Sequence, residues 1–216
     1  MENPFEELAE KYDAWYDSRK GRKIFDFELR ALGKVSFPHP SLEIGVGTGR
    51  FAKELRIEVG ADIAKEMLKI AKMRGIETVL SDAHKLPFKS RSFKTSYFIT
   101  TLCFLKDPER ALREAARVSE NIVVGFIPEE SPLGRFYIQK GQEGHPLYTH
   151  ARFLSCSQLI EILEKAGFRI IEAYATLFTL PESEYLERET IKRGIHPSAG
   201  FNVIFATLRE PSSKPP

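Results

Sequence analysis

Cysteine is scarce in this sequence: only Cys103 and Cys156 occur in 216 residues, far apart and at no metal-ligand spacing. A chain this long can bury a core without a disulfide, so both read as reduced thiols of a cytosolic protein. An excess of one charge is also missing. Thirty-two Lys and Arg oppose thirty Asp and Glu, and a formal charge of +2 argues against a nucleic-acid surface. No apolar run approaches the roughly 20 residues that a membrane helix needs. The start, Met1-Glu2-Asn3-Pro4-Phe5-Glu6-Glu7, lacks the basic and apolar segments of a secretory signal, so the expectation is a soluble, cytoplasmic protein. Asn and Gln are few beside Lys, Arg and Glu, the tilt of proteins from hot environments. There are no internal repeats. With 42% hydrophobic residues the chain can bury one core, which predicts a single domain over 1–209 and a disordered tail over 210–216.

Glycine, by contrast, is concentrated where it matters. Leu42-Glu43-Ile44-Gly45-Val46-Gly47-Thr48-Gly49-Arg50 reads as an apolar strand, three alternating glycines and a helix start. Without Cβ atoms, Gly45, Gly47 and Gly49 can take positive φ and bring backbone N–H groups close to a ligand at the helix N-terminus. The dinucleotide pattern GxGxxG would want Gly or Ala at position 50, and Arg50 stands there, which weakens a pyrophosphate reading.

Two acids follow at strand ends. Ile57-Glu58-Val59-Gly60-Ala61-Asp62 reads as a second strand, and Asp62 can accept from both hydroxyls of a ribose or cap the next helix. Glu77 to Ser81 reads as a third strand. Beyond it, Asp82 can accept from the exocyclic amine of adenine and the backbone of Ala83 can meet the ring edge; a helix cap is the alternative, which the Asp-Ala-x-x-Leu-Pro-Phe string at 82–88 disfavours. Further strands fall near 94–100 and 121–127, alternating with helices as in a parallel sheet. Helical periodicity covers Phe5 to Asp17 and Ile24 to Leu32, a helical cap within 1–34. A helix over Ser155 to Ala166 and strands at Phe168–Phe178 and Phe201–Arg209 close the domain.

With these elements in order, the chain resembles the class I S-adenosylmethionine-dependent methyltransferases, most closely the type 11 group of ubiquinone and menaquinone methylases. The carriers are LEIGVGTGRF at 42–51, VGADIAKEML at 59–68, SDAHKLPF at 81–88, SYFITTLCFL at 96–105 with DPERALREAARV at 107–118, and FLSCSQLIEILEKAGF at 153–168. The resemblance implies a Rossmann-like α/β fold with seven strands in the order 3-2-1-4-5-7-6, the seventh antiparallel. It implies S-adenosylmethionine as cofactor and a small-molecule methyl acceptor, with no nucleic acid and no membrane span. Glu43, Gly45, Gly47 and Gly49 would surround the methionine moiety, Asp62 the ribose, and Ile63 and Met67 the adenine. Asp82 and Ala83 would meet the base, and Thr100 would lie beside the cofactor's amino group and methyl. The family often has Phe-Asp entering the fourth strand, where this chain has Phe93-Lys94.

Methyl transfer from a sulfonium needs positioning and water exclusion more than a nucleophile. The acceptor side is accordingly less legible. A loop over 128–152 is expected to select the substrate, aided by Tyr12, Trp15 and Tyr16; His150, Tyr148 and Tyr12 are the candidates for a base. No Asp-Pro-Pro-aromatic or Pro-Cys signature follows the fourth strand, as nucleic-acid methylases would show. A nicotinamide oxidoreductase, an RNA or protein methylase, and a cofactor-binding protein without turnover are the competing readings.

Overall fold

The computed structural model describes residues 3–179 and 190–209. Among the described residues eight strands build one sheet: β1 (Ser41–Ile44), β2 (Val59–Asp62), β3 (Glu77–Leu80), β4 (Phe93–Ile99), β5 (Ser119–Phe126), β6 (Phe168–Thr176), β7 (Lys192–Arg193) and β8 (Phe201–Leu208). Their spatial order is β3-β2-β1-β4-β5-β8-β6-β7. β1 to β5 pair in parallel, whereas β8 runs antiparallel between β5 and β6. The expected order recurs with β8 in seventh place. The difference is β7, two exposed residues that pair with Tyr174 and Ala175 and are too short to leave a sequence pattern.

Helices α1 (Pro4–Glu7), α2 (Ala9–Trp15), α3 (Arg19–Leu32), α4 (Arg50–Leu55), α5 (Lys65–Met73), α6 (Pro108–Val118), α7 (Pro132–Gln142) and α8 (Cys156–Lys165) cover both faces. On β5, Ile122 and Val124 enter one apolar cluster and Val123 the other; on β8, Ile204 and Ala206 part in the same way from Val203 and Phe205. That alternation of side chains, with both faces buried, makes these strands read as continuous apolar runs. α6 and α8 close the first face with Leu112, Ala115, Leu159 and Leu163. Ile24, Phe27 and Ala31 of α3, Phe51 of α4 and Leu68 of α5 close the second.

Three boundaries depart from the sequence pattern. The first helical stretch breaks at Leu8, which ends α1 and precedes α2. α3 begins earlier than its apolar period suggests, because the Ser18 hydroxyl accepts the Gly21 N–H at 2.9 Å and starts a helix through the basic run Arg19 to Lys23. The segment 128–152, expected as loop, contains α7. Ser131 caps it and Pro132 opens it. Gly134 and Gly141 disguise this helix: a Cβ at Gly134 would stand 2.0 Å from the Pro128 oxygen, and one at Gly141 2.5 Å from the Tyr148 oxygen. They permit close approach of backbones. The tail expected to be disordered, 210–216, lies outside the described residues.

Candidate functional site

β1 ends at Ile44, and the chain turns off the sheet with the Gly45 and Val46 N–H groups both donating to the Ala61 oxygen, at 2.7 and 3.1 Å. Gly45, Gly47 and Gly49 have φ of 76°, 53° and 77°, a region that costs other residues energy. Their surroundings differ. A Cβ on Gly45 would lie 2.2 Å from the Thr101 methyl, and one on Gly49 would meet Ala71 Cβ at 3.0 Å and Ile76 at 3.2 Å. Gly49 is therefore a packing glycine between α4 and α5. Only Gly47 looks onto open space, with Tyr12 Cε1 at 4.0 Å as the nearest atom.

Asp62, at the end of β2, ties this loop to the next helix. Its Oδ2 accepts the Gly47 N–H at 2.8 Å and its Oδ1 the Ala64 N–H at 2.9 Å. Burial pushes its carboxyl above the usual range, against the N–H donors of Ala64, Gly47 and Ile63. The cap and the ligand readings coexist, since a carboxylate has about four lone-pair sites and these three donors leave one open. Glu43 is 2% exposed on β1, and its Oε2 is buried without a hydrogen-bond partner. Burial first, and the Asp62 charge second, push its carboxyl well up. A buried acceptor left open asks for a donor or a cation.

Ile63 is 59% exposed beside Asp62 and offers apolar surface. Asp82 lies beyond β3, where its Oδ1 accepts from the His84 backbone at 2.9 Å and pairs with its ring at 2.6 Å. Burial would raise the Asp82 carboxyl, but these bonds hold it below its ordinary value. Ala83 is buried. Arg117 of α6 fixes this loop by donating to the Phe88 and Leu86 oxygens at 2.7 and 3.0 Å. Thr100 stands just past β4 with φ 50°, its hydroxyl on the Ile99 oxygen, and lines a small apolar cavity with Leu102, Cys103, Phe126 and Leu154. Met67 is not left open to the crevice: it is 1% exposed, covered by Ala9, Phe5 and Tyr12 of the N-terminal helices.

Those helices are latched down. Glu6 accepts the Lys65 and Glu66 N–H groups at the start of α5, at 2.8 and 3.0 Å. Asp13 is gripped by Arg50 at 2.9 Å and Arg74 at 2.7 Å, and Arg74 also donates to the Thr48 oxygen of the glycine loop. Burial opposes ionisation of Asp13, yet these donors hold its carboxyl down at about 2. Arg50, unfavourable to a pyrophosphate loop, thus has a structural task that periodicity alone did not reveal.

Of the candidates for a base, His150 is exposed in a 3-10 turn. Tyr12 and Tyr148 join an aromatic roof instead. The Tyr12 and Tyr16 hydroxyls lie 3.1 Å apart, and Tyr148 stacks on Tyr137 at 4.3 Å between centroids. Burial raises the phenol of Tyr12, and pushes that of Tyr148 up to about 12. Glu28 of α3, which no sequence motif marks, is 4% exposed and within electrostatic range of Tyr12, Tyr16 and Tyr148.

The model of the methyltransferase domain matches residues 42–121. A crystallised S-adenosylmethionine-dependent methyltransferase of Thermotoga maritima, described as a possible histamine N-methyltransferase, is 36% identical, superposes with a TM-score of 0.86, and covers 94% of this chain and 97% of its own. This chain belongs to the S-adenosylmethionine-dependent methyltransferases. An uncharacterised protein of Methanocaldococcus jannaschii is 39% identical over 94% of this chain and 98% of the relative. The demethylmenaquinone methyltransferase of Thermotoga maritima is 27% identical over 77% and 86% respectively. The methyltransferase's cofactor is S-adenosylmethionine. Its residues fit that group: Gly47 leaves a cradle that a side chain would fill, and the orphaned Glu43 oxygen suits a cationic ligand.

Proposed function

We propose that this methyltransferase acts on a small molecule, with its cofactor held in the crevice beyond β1, β2 and β3. When bound, S-adenosylmethionine supplies an electrophilic methyl group. The chain's own residues bind and orient it: Glu43 with Gly45 and Gly47 at the methionine end, Asp62 at the ribose, and Ile63, Asp82 and Ala83 at the base. Thr100 stands on the side of the transferred methyl. The observation that carries this reading is Asp62, whose two oxygens join Gly47 to Ala64 while keeping acceptor capacity for a ribose hydroxyl. Gly49 and Met67 contribute by packing.

The docked N-terminal helices and α7 exclude water, which is the protein's main share of an in-line displacement. No strong base is asked of His150. A formal charge of +2 supports a metabolite over a nucleic acid as acceptor. Two free cysteines, Cys103 and Cys156, support a cytoplasmic location.

Calorimetric titration with S-adenosylmethionine, S-adenosylhomocysteine and NAD tests the site, and a labelled-methyl screen against metabolites tests the reaction. The first two ligands should bind and NAD should not; tight binding of NAD alone would overturn the reading. Asp62→Ala should weaken S-adenosylhomocysteine by about 1.5–3 kcal/mol through lost charge-assisted hydrogen bonds. Unchanged affinity would remove the ribose role.

A further inference from the structure

Glu43 is the buried acid at the end of β1, and its second oxygen has no partner. Leu42 and Ile44 point into the cluster under α6 and α8, so the alternation of β1 turns Glu43 to the other face of the sheet. Its register partners there are Gly60 of β2 and Tyr97 of β4. Gly60 has no side chain to offer, and Val46 fills the space over it, since a Cβ on Gly60 would stand 2.6 Å from Val46 Cγ2. The Ala52 N–H of α4 donates to the carboxyl, which leaves Oε2 enclosed and without a donor.

The charged groups around it do not supply a counter-ion. Asp62, at the end of β2, is a second acid whose charge opposes ionisation of Glu43. Tyr97 of β4 and Tyr12 of α2 are phenols whose ionisation burial and the Glu43 charge both oppose. Glu28 of α3 is acidic and buried as well. Arg50 of α4 is held by Asp13 and Asp17, and Arg74, just past α5, by Asp13 and the Thr48 oxygen. A buried carboxylate without a counter-ion is so unfavourable that the acid keeps its proton instead.

Resting on the cofactor reading above, we propose that Glu43 is a neutral carboxylic acid in the ligand-free chain and releases its proton to solvent when the α-ammonium group of the cofactor binds. The O–H bond of the carboxyl breaks, water takes the proton, and no covalent bond to the cofactor forms. The ammonium is the counter-ion that the chain itself lacks. In a water-poor site its charge acts across several ångströms, so Oε2 need not be exposed to respond to it. Cofactor affinity therefore rises with pH wherever the free chain holds this proton and the loaded chain does not.

The test is calorimetry on the full chain at about pH 6, repeated in buffers of different ionisation enthalpy, so that the change in heat from buffer to buffer counts the protons exchanged. Two probes share the nucleoside and differ at the amino-acid end: S-adenosylhomocysteine carries the ammonium, and methylthioadenosine does not. The first should release at least about half a proton per chain and the second less than about a fifth. Asp62 faces the same nucleoside in both cases, so a proton lost from Asp62 would appear with both probes. Equal release by the two, or no release with S-adenosylhomocysteine, overturns the proposal, and this comparison needs no variant. Glu43→Gln should bind methylthioadenosine within about threefold of wild type, which reports that the fold is kept, and should bind S-adenosylhomocysteine without releasing the proton. A release that survives in this variant overturns the proposal as well. Failure of both probes to bind the wild-type chain would instead sink the cofactor site, and the proposal with it.

Discussion

Gly47 and Gly49 look equivalent in the sequence, share a left-handed backbone, and should respond to alanine in opposite ways. At Gly47 the new methyl meets nothing nearer than Tyr12 Cε1 at 4.0 Å, so the folded chain bears only the left-handed cost, about 1–2 kcal/mol. At Gly49 the methyl meets Ala71 Cβ at 3.0 Å and Ala71 Cα at 3.1 Å. A backbone atom cannot swing aside, so about 1–3 kcal/mol of overpacking adds to the same conformational cost, roughly 2–5 kcal/mol together. Binding should reverse the order. If the ligand lies in the open space over Gly47 as proposed, the new methyl should weaken S-adenosylhomocysteine by more than about 1.4 kcal/mol, or tenfold. Gly49→Ala, assayed cold enough to stay folded, should bind within about threefold of wild type, a difference of under roughly 0.7 kcal/mol. Urea unfolding gives the stabilities and calorimetry the affinities. Normal binding by Gly47→Ala, or a smaller loss of stability in Gly49→Ala than in Gly47→Ala, would refute the reasoning.

Arg50→Met removes the bonds to Asp13 and Asp17 and leaves Asp13 to Arg74 and the Thr48 hydroxyl, which should loosen α2 by about 1–3 kcal/mol for a pair so largely buried. Amide hydrogen exchange across Ala9–Trp15 should quicken while that of β4 and β5 holds; unchanged exchange would mean that the ion pairs do not dock the helix. The pH dependence of the ligand-free chain follows from Glu28. Its carboxyl titrates near 8 when folded and near 4.5 otherwise, so between these values the folded chain holds a proton that the unfolded chain releases. Stability from this group is therefore complete below about pH 4.5 and fades as pH rises through 8, by at most about 5 kcal/mol. The upward shifts of Asp62 and Glu43 act in the same direction. Melting temperature should fall from pH 5 to pH 8, and Glu28→Gln should flatten the slope; a steeper slope in that variant would show that Glu28 is not the titrating group.

The cofactor half was legible because its chemistry is backbone chemistry, written in residue types with few substitutes. Gly45, Gly47 and Asp62 could be placed by spacing, and the structure joins Gly47 to Asp62 at 2.8 Å. What spacing could not tell was which side of each glycine faces protein. Gly49 and Gly45 needed the positions of Ala71 and Thr101, residues distant in sequence. Helix α7 was hidden for a related reason, since Gly134 and Gly141 yield to backbones that the sequence does not place beside them. Ser131-Pro132, a cap followed by a helix-opening proline, was the available signal. Glu28 fell into the general population of helical acids, because burial is a property of the packed α3 face and not of the residue.

The N-terminal helices also show how enclosure and cofactor binding come to share one element. An α-helix leaves its first N–H groups without partners inside the helix. In α5 the Ala64 N–H goes to Asp62, the residue assigned to the ribose, while the Lys65 and Glu66 N–H groups go to Glu6 of α1. Lifting α1 therefore strips two donors of their partner next to the ribose position. If α2 lifts with it, Met67 loses the cover of Ala9 and Tyr12 as well as Phe5, and Tyr12 leaves its place above Gly47. Asp13 repeats the device at the other end, since Arg74 holds it together with the Thr48 oxygen inside the glycine loop. A helix proposed to shield the methyl from water is thus fastened to residues proposed to hold its carrier, so that the docking of the one helps to set the other.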